Sequence, residues 1–396
     1  MKAIFVHSHI FKYDEENNFY SDGKLTYSMW EHRYLKYFDE IIIAARGTKV
    51  CTQDVEGLNL SSGNSVRHYT LPNLNSIKRR KKSLLKLEKD LKLLIGESDL
   101  LIARLPSEHA YYAIKVAKEL NKPYVLEVVA DTFLSFWTHG SILGKVMAPY
   151  FSRKYKKVIK KSSYLIYVTS DYLQKKYPHN NEAIVTNISN VDIPVMEETI
   201  LSKRIASINK MRLDKDINIG LIGSYSSKYK GIDTAIKAIK SLSRQGYRCT
   251  LKVLGDGDKE WLVNLLKDLN MENNVQFDES LPGGEKVFNW LDSLDIYIQP
   301  SLTEGLPRAL IEAMSRGLPC VASSVGGVPE LIDSRFIHEP KSERDLSRKI
   351  EILLEDKKLM EGQAERNFRK AREFSSGELG LKRDLFWKKV IEKELI

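Results

Sequence analysis

Two doubly wound, Rossmann-like α/β domains are predicted by three observations. Short apolar strands alternate with helical periodicity, the alternation restarts near mid-chain, and 396 residues exceed what one hydrophobic core usually organises. The first series of strands is expected at 3–6, 40–44, 100–103, 124–129 and 164–168, and the second at 217–222, 249–254, 275–277, 296–299 and 320–322. Residues 187–215 lack a strong strand and carry Pro194 among mixed charges, so the interdomain connection is placed there. The domains expected are 1–195 and 196–372. Residues 373–396 form a helix whose stripe of Phe386, Trp387, Val390 and Ile391 packs back on the first domain.

Composition narrows the function. A formal net charge of +10 favours an anionic partner, without choosing among nucleic acid, phospholipid, polyphosphate and sugar nucleotide. Three widely spaced cysteines argue against a disulfide framework or a clustered metal site and fit a cytoplasmic location. The opening MKAIFVHSHIFKYDEEN breaks its apolar run with histidines and acids, unlike a signal-peptide core. No stretch approaches the roughly 20 apolar residues of a spanning helix.

The stretch that carries most chemistry is QPSLTEGLPRALIEAMSRGLPCVASSVGGVPELI, residues 299–332. An apolar strand leads into a turn, Pro307 suits the start of a helix, and Gly317 followed by Pro319 suits its end. Ligands of doubly wound sheets sit at the carboxyl ends of strands, where a helix start offers free N–H groups to a phosphate. Gly305 allows close backbone approach, Glu304 stands at the mouth, and Glu312 lies two turns into the helix. A carboxylate can take bonds from two vicinal hydroxyls of a sugar. The plainer alternative pairs Glu312 with Arg316 and leaves Glu304 as a helix-start acid.

A second strand, turn and helix, IGSYSSKYKGIDTAIKAI, sets Gly223 and Lys230 about a turn, and a lysine there can meet a diphosphate as a point charge. A third turn, LGDGDKE, brings Gly255 and Asp256 to another strand end.

These motifs resemble family 4 of the retaining glycosyltransferases, of GT-B fold, whose two Rossmann-like domains face a cleft. The likeness spans 223–331, with its two glutamates eight positions apart in number, the Glu-Gly-x-Pro entry, the turn at Lys230 and Gly231, and Gly326, Gly327, Pro329 and Glu330. The resemblance implies that Glu312 binds the donor ribose and that Glu304 contacts the transferred sugar. Gly305, Leu306 and Pro307 would hold the sugar and distal phosphate, and Lys230 would neutralise the leaving diphosphate. Gly255 and Asp256 would border the base. Ser224 stands where many relatives carry an arginine, so Lys230 bears more of the phosphate contact, with Arg308 or Arg104 as helpers. Asp131 stands where many carry a histidine. Glu304 and Lys230 are the catalytic candidates.

The resemblance further implies transfer of a hexose from a nucleotide-diphosphate sugar, above all a UDP-sugar, to a glycan or lipid-linked acceptor in cell-surface polysaccharide synthesis, with retention. No cofactor and no metal ion are expected. Acceptor-side candidates are Gly23, Arg104, Asp131, Trp137 and His139, the last two in an aromatic run that could stack on a sugar or simply be core. His7 and His9 open one of the loops expected to meet the acceptor, 7–24, beside 104–107 and 131–140, although an isolated histidine more often satisfies a local hydrogen bond.

The basic run 78–82 precedes a helix with a seam of Leu84, Leu87, Leu91 and Leu94, and a second basic cluster covers 153–161. Such segments suit peripheral association with an anionic inner membrane face; a solvated face over core leucines is the alternative. Two rivals stand beside the transferase: a nucleotide-sugar epimerase of the same architecture, and a basic nucleic-acid-binding protein, for which no recognisable module is present. Nucleic acid is not expected as a partner.

Overall fold

The computed structural model describes residues 1–396 apart from 24, 77, 140, 141 and 396, and gives the backbone alone at 136, 138, 139 and 142–144. It divides into two compact units, Met1–Ile188 with Gly380–Ile396, and Ser189–Leu379.

Among the described residues, the first sheet has strands β1 (Lys2–Tyr13), β2 (Phe19–Ser21), β3 (Glu40–Lys49), β4 (Asn59–Leu60), β5 (Val66–Thr70), β6 (Leu100–Leu105), β7 (Tyr124–Val128), β8 (Tyr164–Tyr167) and β9 (Ile184–Asn187). Its parallel path runs β5-β3-β1-β6-β7-β8-β9, and β2 and β4 add an antiparallel edge beside the far end of β1. Ala3, Ile4, Phe5 and Val6 are enclosed because a central parallel strand is covered on both faces. Burying each larger side chain stabilises the fold by about 1.5–3 kcal/mol. On one face Leu87, Leu91 and Leu94 of the helix Arg80–Gly96 join Ile4 and Leu101 in the core. On the other, Phe5 packs on Trp30 and Tyr34.

The second sheet is parallel throughout: β10 (Ile217–Ile222), β11 (Cys249–Gly255), β12 (Val275–Glu279), β13 (Ile296–Gln299), β14 (Cys320–Ser323) and β15 (Ile337–His338), in the order β12-β11-β10-β13-β14-β15. In both sheets the order moves one way from a first strand and then reverses, at β1/β6 and at β10/β13. The loops that leave these paired strands diverge onto opposite faces and open a crevice at the carboxyl ends.

All ten strands expected from the sequence are present, and the structure adds β2, β4, β5, β9 and β15. β5 and β9 close the two ends of the parallel path, so each has one strand neighbour and stays only half-buried, which weakens its apolar signal. The boundary falls after Ile188 rather than after 195, and the segment read as a connection is largely the helix Glu198–Lys210. Leu201 and Ile208 bury into the second core, while Arg204 is tied to the carbonyls of Leu291 and Leu294. At the other end the helix Ser376–Glu394 passes into the first unit from Gly380, not from 373. Residues before it stay with the second unit through Ile193, whose N–H donates to Phe374 O at 3.0 Å and whose carbonyl accepts from Ser376 N at 2.9 Å. Beyond it, Trp387 packs on Tyr37 and Phe38, and Asp384 accepts from Lys36 Nζ and Tyr37 Oη.

One irregularity matters for the first unit. Val6 pairs with Ala44 and Ile10 with Arg46, so His7, Ser8 and His9 stand opposite Ala45 alone. A bulge of this kind re-aims side chains and recurs beside functional sites.

Candidate active site

In the second unit the parallel pairing of β10 with β13 sets two loops side by side at their carboxyl ends. The loop after β10 carries Gly223, Ser224 and Lys230; that after β13 carries Glu304, Gly305, Leu306 and Pro307. Gly231, with φ of 71°, closes the first loop; a β-carbon there would lie 2.0 Å from the Pro300 carbonyl oxygen, so only glycine lets the loops meet. Lys230 Nζ donates to Glu304 Oε1 at 2.9 Å. The two side chains are 21% and 11% exposed, so the pair is sheltered yet reachable.

A buried polar relay stands behind Glu304. Its Oε1 also accepts from Ser301 Oγ at 2.7 Å and from Gln299 Nε2 at 3.1 Å, and Tyr297 Oη donates to Gln299 Oε1 at 2.7 Å. Burial above all pushes the Tyr297 phenol well above its ordinary range, so it remains a donor. With Oε1 taken threefold, Oε2 is the oxygen left for a ligand. Sequence reasoning missed this relay. Its signal was the polar alternation Tyr297, Gln299, Ser301 on one side of an otherwise apolar run.

The helix Arg308–Ser315 begins at Pro307, and no side chain caps it, so its first-turn N–H groups stay unpaired by helix geometry. Glu312, on its second turn, is buried and accepts from Arg308 Nε at 2.8 Å. The pairing with Arg316 considered from the sequence is not formed; Arg316 binds Asp292 instead. Arg308 also reaches the Asp192 carbonyl, and Arg104, in the first unit, pairs with Glu127 at 3.2 Å. Neither helper arginine is therefore an uncommitted cation. A β-carbon on Gly326, at φ 55°, would lie 2.0 Å from the Glu304 carbonyl oxygen, and Gly327 N donates to Gly305 O at 2.7 Å. The 326–327 turn thus braces the glutamate loop.

Gly255 ends β11, and the Asp256 carbonyl accepts from Tyr225 N at 2.7 Å and from Ser224 Oγ at 3.2 Å. Asp256 and Asp258 form an Asp-x-Asp at this strand end, a feature the metal-free expectation overlooked. Among the described residues no three His, Cys, Asp or Glu side chains gather as a metal site.

In the first unit Asp131 is fully engaged. Oδ1 accepts from Phe133 N at 2.9 Å and Tyr177 Oη at 2.7 Å, and Oδ2 accepts from Tyr172 Oη at 2.9 Å and from Lys176. It anchors the start of the helix Thr132–His139. Trp137 is half-exposed and stacks on Phe133, so this part of the aromatic run is not core. Gly23 follows β2, its N–H on Ser21 Oγ at 3.1 Å. The side chain of His139 lies outside the described residues.

Two doubly wound parallel units, each with its own strand crossover, are the architecture of the GT-B glycosyltransferases. Residues 204–370 match the family described as Glycosyl transferases group 1. Protein CapJ of Staphylococcus aureus is 35% identical over 375 residues, 91% of this chain and 91% of that protein. The amylovoran biosynthesis glycosyltransferase AmsK of Erwinia amylovora is 36% identical over 143 residues, 34% of each. The structure of Alr3699/HepE from Anabaena in complex with UDP-glucose is similar at a TM-score of 0.66 and 17% identity, over 98% of this chain and 100% of that one. The chain belongs to the group 1 glycosyl transferases, and the epimerase reading gives way.

Asp131 yields a pH test. Burial works against its charge, but the bonds from Lys176, Tyr177 and Tyr172 outweigh that and hold its pKa below the ordinary value. A carboxylate depressed on folding stabilises fully above the unfolded pKa of about 3.9, and the gain disappears as pH falls through the lower folded value. Asp131→Asn is expected to cost about 1–3 kcal/mol at pH 7 and little once the pH is below both values. Urea unfolding at neutral and acid pH checks this; an equal loss at both would reject it.

Proposed function

We propose that the protein is a retaining hexosyltransferase of cell-surface polysaccharide synthesis, using a UDP-sugar and needing no metal ion. The observation that carries this reading is the convergence of Lys230, Glu304 and the start of the helix Arg308–Ser315 at the β10/β13 crossover. The AmsK likeness supports the polysaccharide assignment, and the UDP-glucose bound by HepE supports the donor.

In this reading Glu312 accepts the ribose hydroxyls through Oε2 while Arg308 steadies Oε1. Gly305, Leu306 and Pro307 pass along the hexose and distal phosphate, and Glu304 takes a sugar hydroxyl on Oε2. Gly223 and Ser224 line the diphosphate beside Lys230, while Gly255 and Asp256 border the base. Breaking the anomeric bond builds negative charge on the departing diphosphate beside an oxocarbenium-like sugar. Lys230 keeps two N–H donors beyond the one on Glu304, and with the helix start it stabilises that charge. The departing phosphate oxygen then takes the acceptor hydroxyl's proton as the new bond forms on the same face.

The acceptor is a glycan or lipid-linked glycan, and the first unit offers an anionic membrane a basic face. The leucine seam cannot serve, since Leu87, Leu91 and Leu94 are core. Lys78, Arg79, Lys81 and Lys82 are exposed, whereas Arg80 is tied to Glu108. Exposed Trp137, Val146 and Tyr150 lie near Lys145, Arg153 and Lys157 in sequence. Both groups flank the helix Glu108–Glu119: Arg80 through its pair, and the helix Ile142–Lys160 through Lys154, 3.9 Å over the Tyr111 ring.

Three outcomes are expected. In a thermal-shift panel of UDP-, GDP- and ADP-sugars, a UDP-sugar stabilises the protein most, and Glu312→Ala weakens it by about 1.5–3 kcal/mol without unfolding the chain. Unchanged affinity in that variant would overturn the ribose assignment.

Turnover with the stabilising donor should survive EDTA. Complete loss, restored by Mn²⁺ or Mg²⁺, would mean that a metal shares the work given to Lys230.

Vesicles containing anionic lipid should bind the protein reversibly and release it with salt, as the Debye length falls from about 10 Å at 0.1 M to about 3 Å at 1 M. Changing Lys78, Arg79, Lys81 and Lys82 to glutamine together with Trp137→Ala should abolish flotation with vesicles and spare UDP affinity. Flotation of the variant equal to wild type would remove this face from the proposal.

A further inference from the structure

The first unit carries a second concentration of cationic and ring-nitrogen groups that none of the roles above uses. It sits at the other strand crossover, where the bulge in β1 presents His7, Ser8 and His9 beside the middle of β3 and just past the last pairing with β6, Val6 with Ala103. Ser8 is its hub. Arg46, the β3 residue paired with Ile10, donates through Nε at 2.8 Å and Nη2 at 2.5 Å to the Ser8 carbonyl. The Ser8 hydroxyl lies 2.5 Å from Ser107 Oγ and 3.3 Å from His109 Nδ1. The His7 and His9 rings lie parallel with centroids 6.5 Å apart.

Two features of this cluster leave groups open to a ligand. Among the described residues Arg46 has no carboxylate within ion-pair distance, although it is half-buried and spends its fork on one carbonyl. Arg104 differs, being matched by Glu127. A sheltered cation without a counter-charge is costly unless an anion completes it. Secondly, His7 Nδ1 is enclosed with no hydrogen-bond partner among the described residues. The proton of the neutral ring is then better carried on Nε2, the nitrogen left to meet a ligand.

Burial first, then the arginines, holds His7 below its ordinary pKa, and burial likewise lowers His9 and His109. These rings are neutral, and His109 spends its one N–H, on Nε2, on the Pro72 carbonyl at 2.9 Å, so its Nδ1 accepts from the Ser8 hydroxyl and the ring positions Ser8 rather than donating to a ligand. Asp22 is 3.8 Å from His9 Nε2 and well exposed, while Glu108, next in sequence to His109, is held by Arg80.

We infer that this crossover binds a phosphate or diphosphate group of the acceptor, held by the remaining N–H groups of Arg46 and by His7 Nε2. A planar carboxylate is met by a single guanidinium fork, whereas here the Arg46 fork is spent on Ser8 and the donors left come from β3 and β1, which suits a tetrahedral group approached from two sides. The word acceptor rests on the transferase reading above; the anion site itself does not. Its source is either a lipid-linked diphosphate or a phosphorylated sugar.

The test is an NMR titration of the full chain labelled with ¹³C-histidine, with His7, His9 and His109 assigned by single His→Gln variants. UDP is added to saturation first, so that the Lys230 site is occupied, and inorganic pyrophosphate follows at millimolar concentration. The expected result is movement of the His7 ring signals, with affinity falling about tenfold or more in Arg46→Gln while UDP affinity holds. His7→Gln, which leaves the Arg46 fork on Ser8 intact, should weaken pyrophosphate binding measured by calorimetry too and keeps the test decisive if Arg46→Gln is unstable. A short-chain alkyl diphosphate binding more tightly than a hexose 6-phosphate would identify the lipid-linked source, and the reverse order the sugar source. Unmoved histidine signals, or signals that respond to glucuronate but not to pyrophosphate, would overturn the inference. Failure of UDP to bind would count against the donor reading instead, since the histidine signals report the anion site independently.

Discussion

The parallel pairing of β10 with β13 is the constraint on which the second unit's chemistry depends. Ile219 opposite Ile296 and Gly220 opposite Tyr297 bring together two loops that leave their strands toward opposite faces. That register explains how Lys230 meets Glu304 across 74 positions of sequence. It also explains why Gly231 has no room for a side chain, since the Pro300 carbonyl occupies that volume. An ion pair half withdrawn from water gains little by Coulomb attraction alone once desolvation is counted. Here Ser301 and Gln299 add two more donors to the same carboxylate oxygen, so the geometry is fixed by a network rather than by one contact.

The same architecture recurs in the first unit with different chemistry. Its central strand is equally apolar through Ala3–Val6 positions 3–6, but the bulge then replaces a tight glycine turn with two histidines and a serine. Arg104 and Asp131, at the ends of neighbouring strands, are each absorbed by partners: Glu127 for one, Lys176 and four further donors for the other. Charge at a strand end is thus of two kinds. Some groups are neutralised and hold the scaffold, and others, such as Arg46, are not.

Central strands were legible in the sequence because enclosure on both faces demands continuous apolar runs, as in Ile217–Ile222. β5 and β9, at the two ends of the parallel path, were not, because a strand with one neighbour tolerates Arg67, His68 and Thr186. The helix Glu198–Lys210 was hidden for a related reason: its buried face includes Arg204, whose carbonyl bonds no apolar count detects. The glutamate loop was legible because strand, glycine, proline and both acids lie within a few turns of chain. The relay from Tyr297 to Ser301 was written there too, but as polar residues inside a strand, which read as noise until the register is known.

What a linear reading misses most systematically is charge pairing at a distance. Local spacing pairs Glu312 with Arg316, four positions on, yet the carboxylate turns to Arg308, four positions back. Arg316 is drawn to Asp292 on the preceding helix, where it also lies over the Phe288 ring. Both pairings satisfy helical spacing equally well, so the choice is made by the neighbouring helix Glu285–Asp292, which sequence spacing does not contain. The choice has a functional side: with Arg308 on Oε1, Glu312 is held from the helix start, the end at which the first-turn N–H groups stand unpaired. Packing against one helix therefore decides how the carboxylate and the uncapped helix start are arranged toward each other.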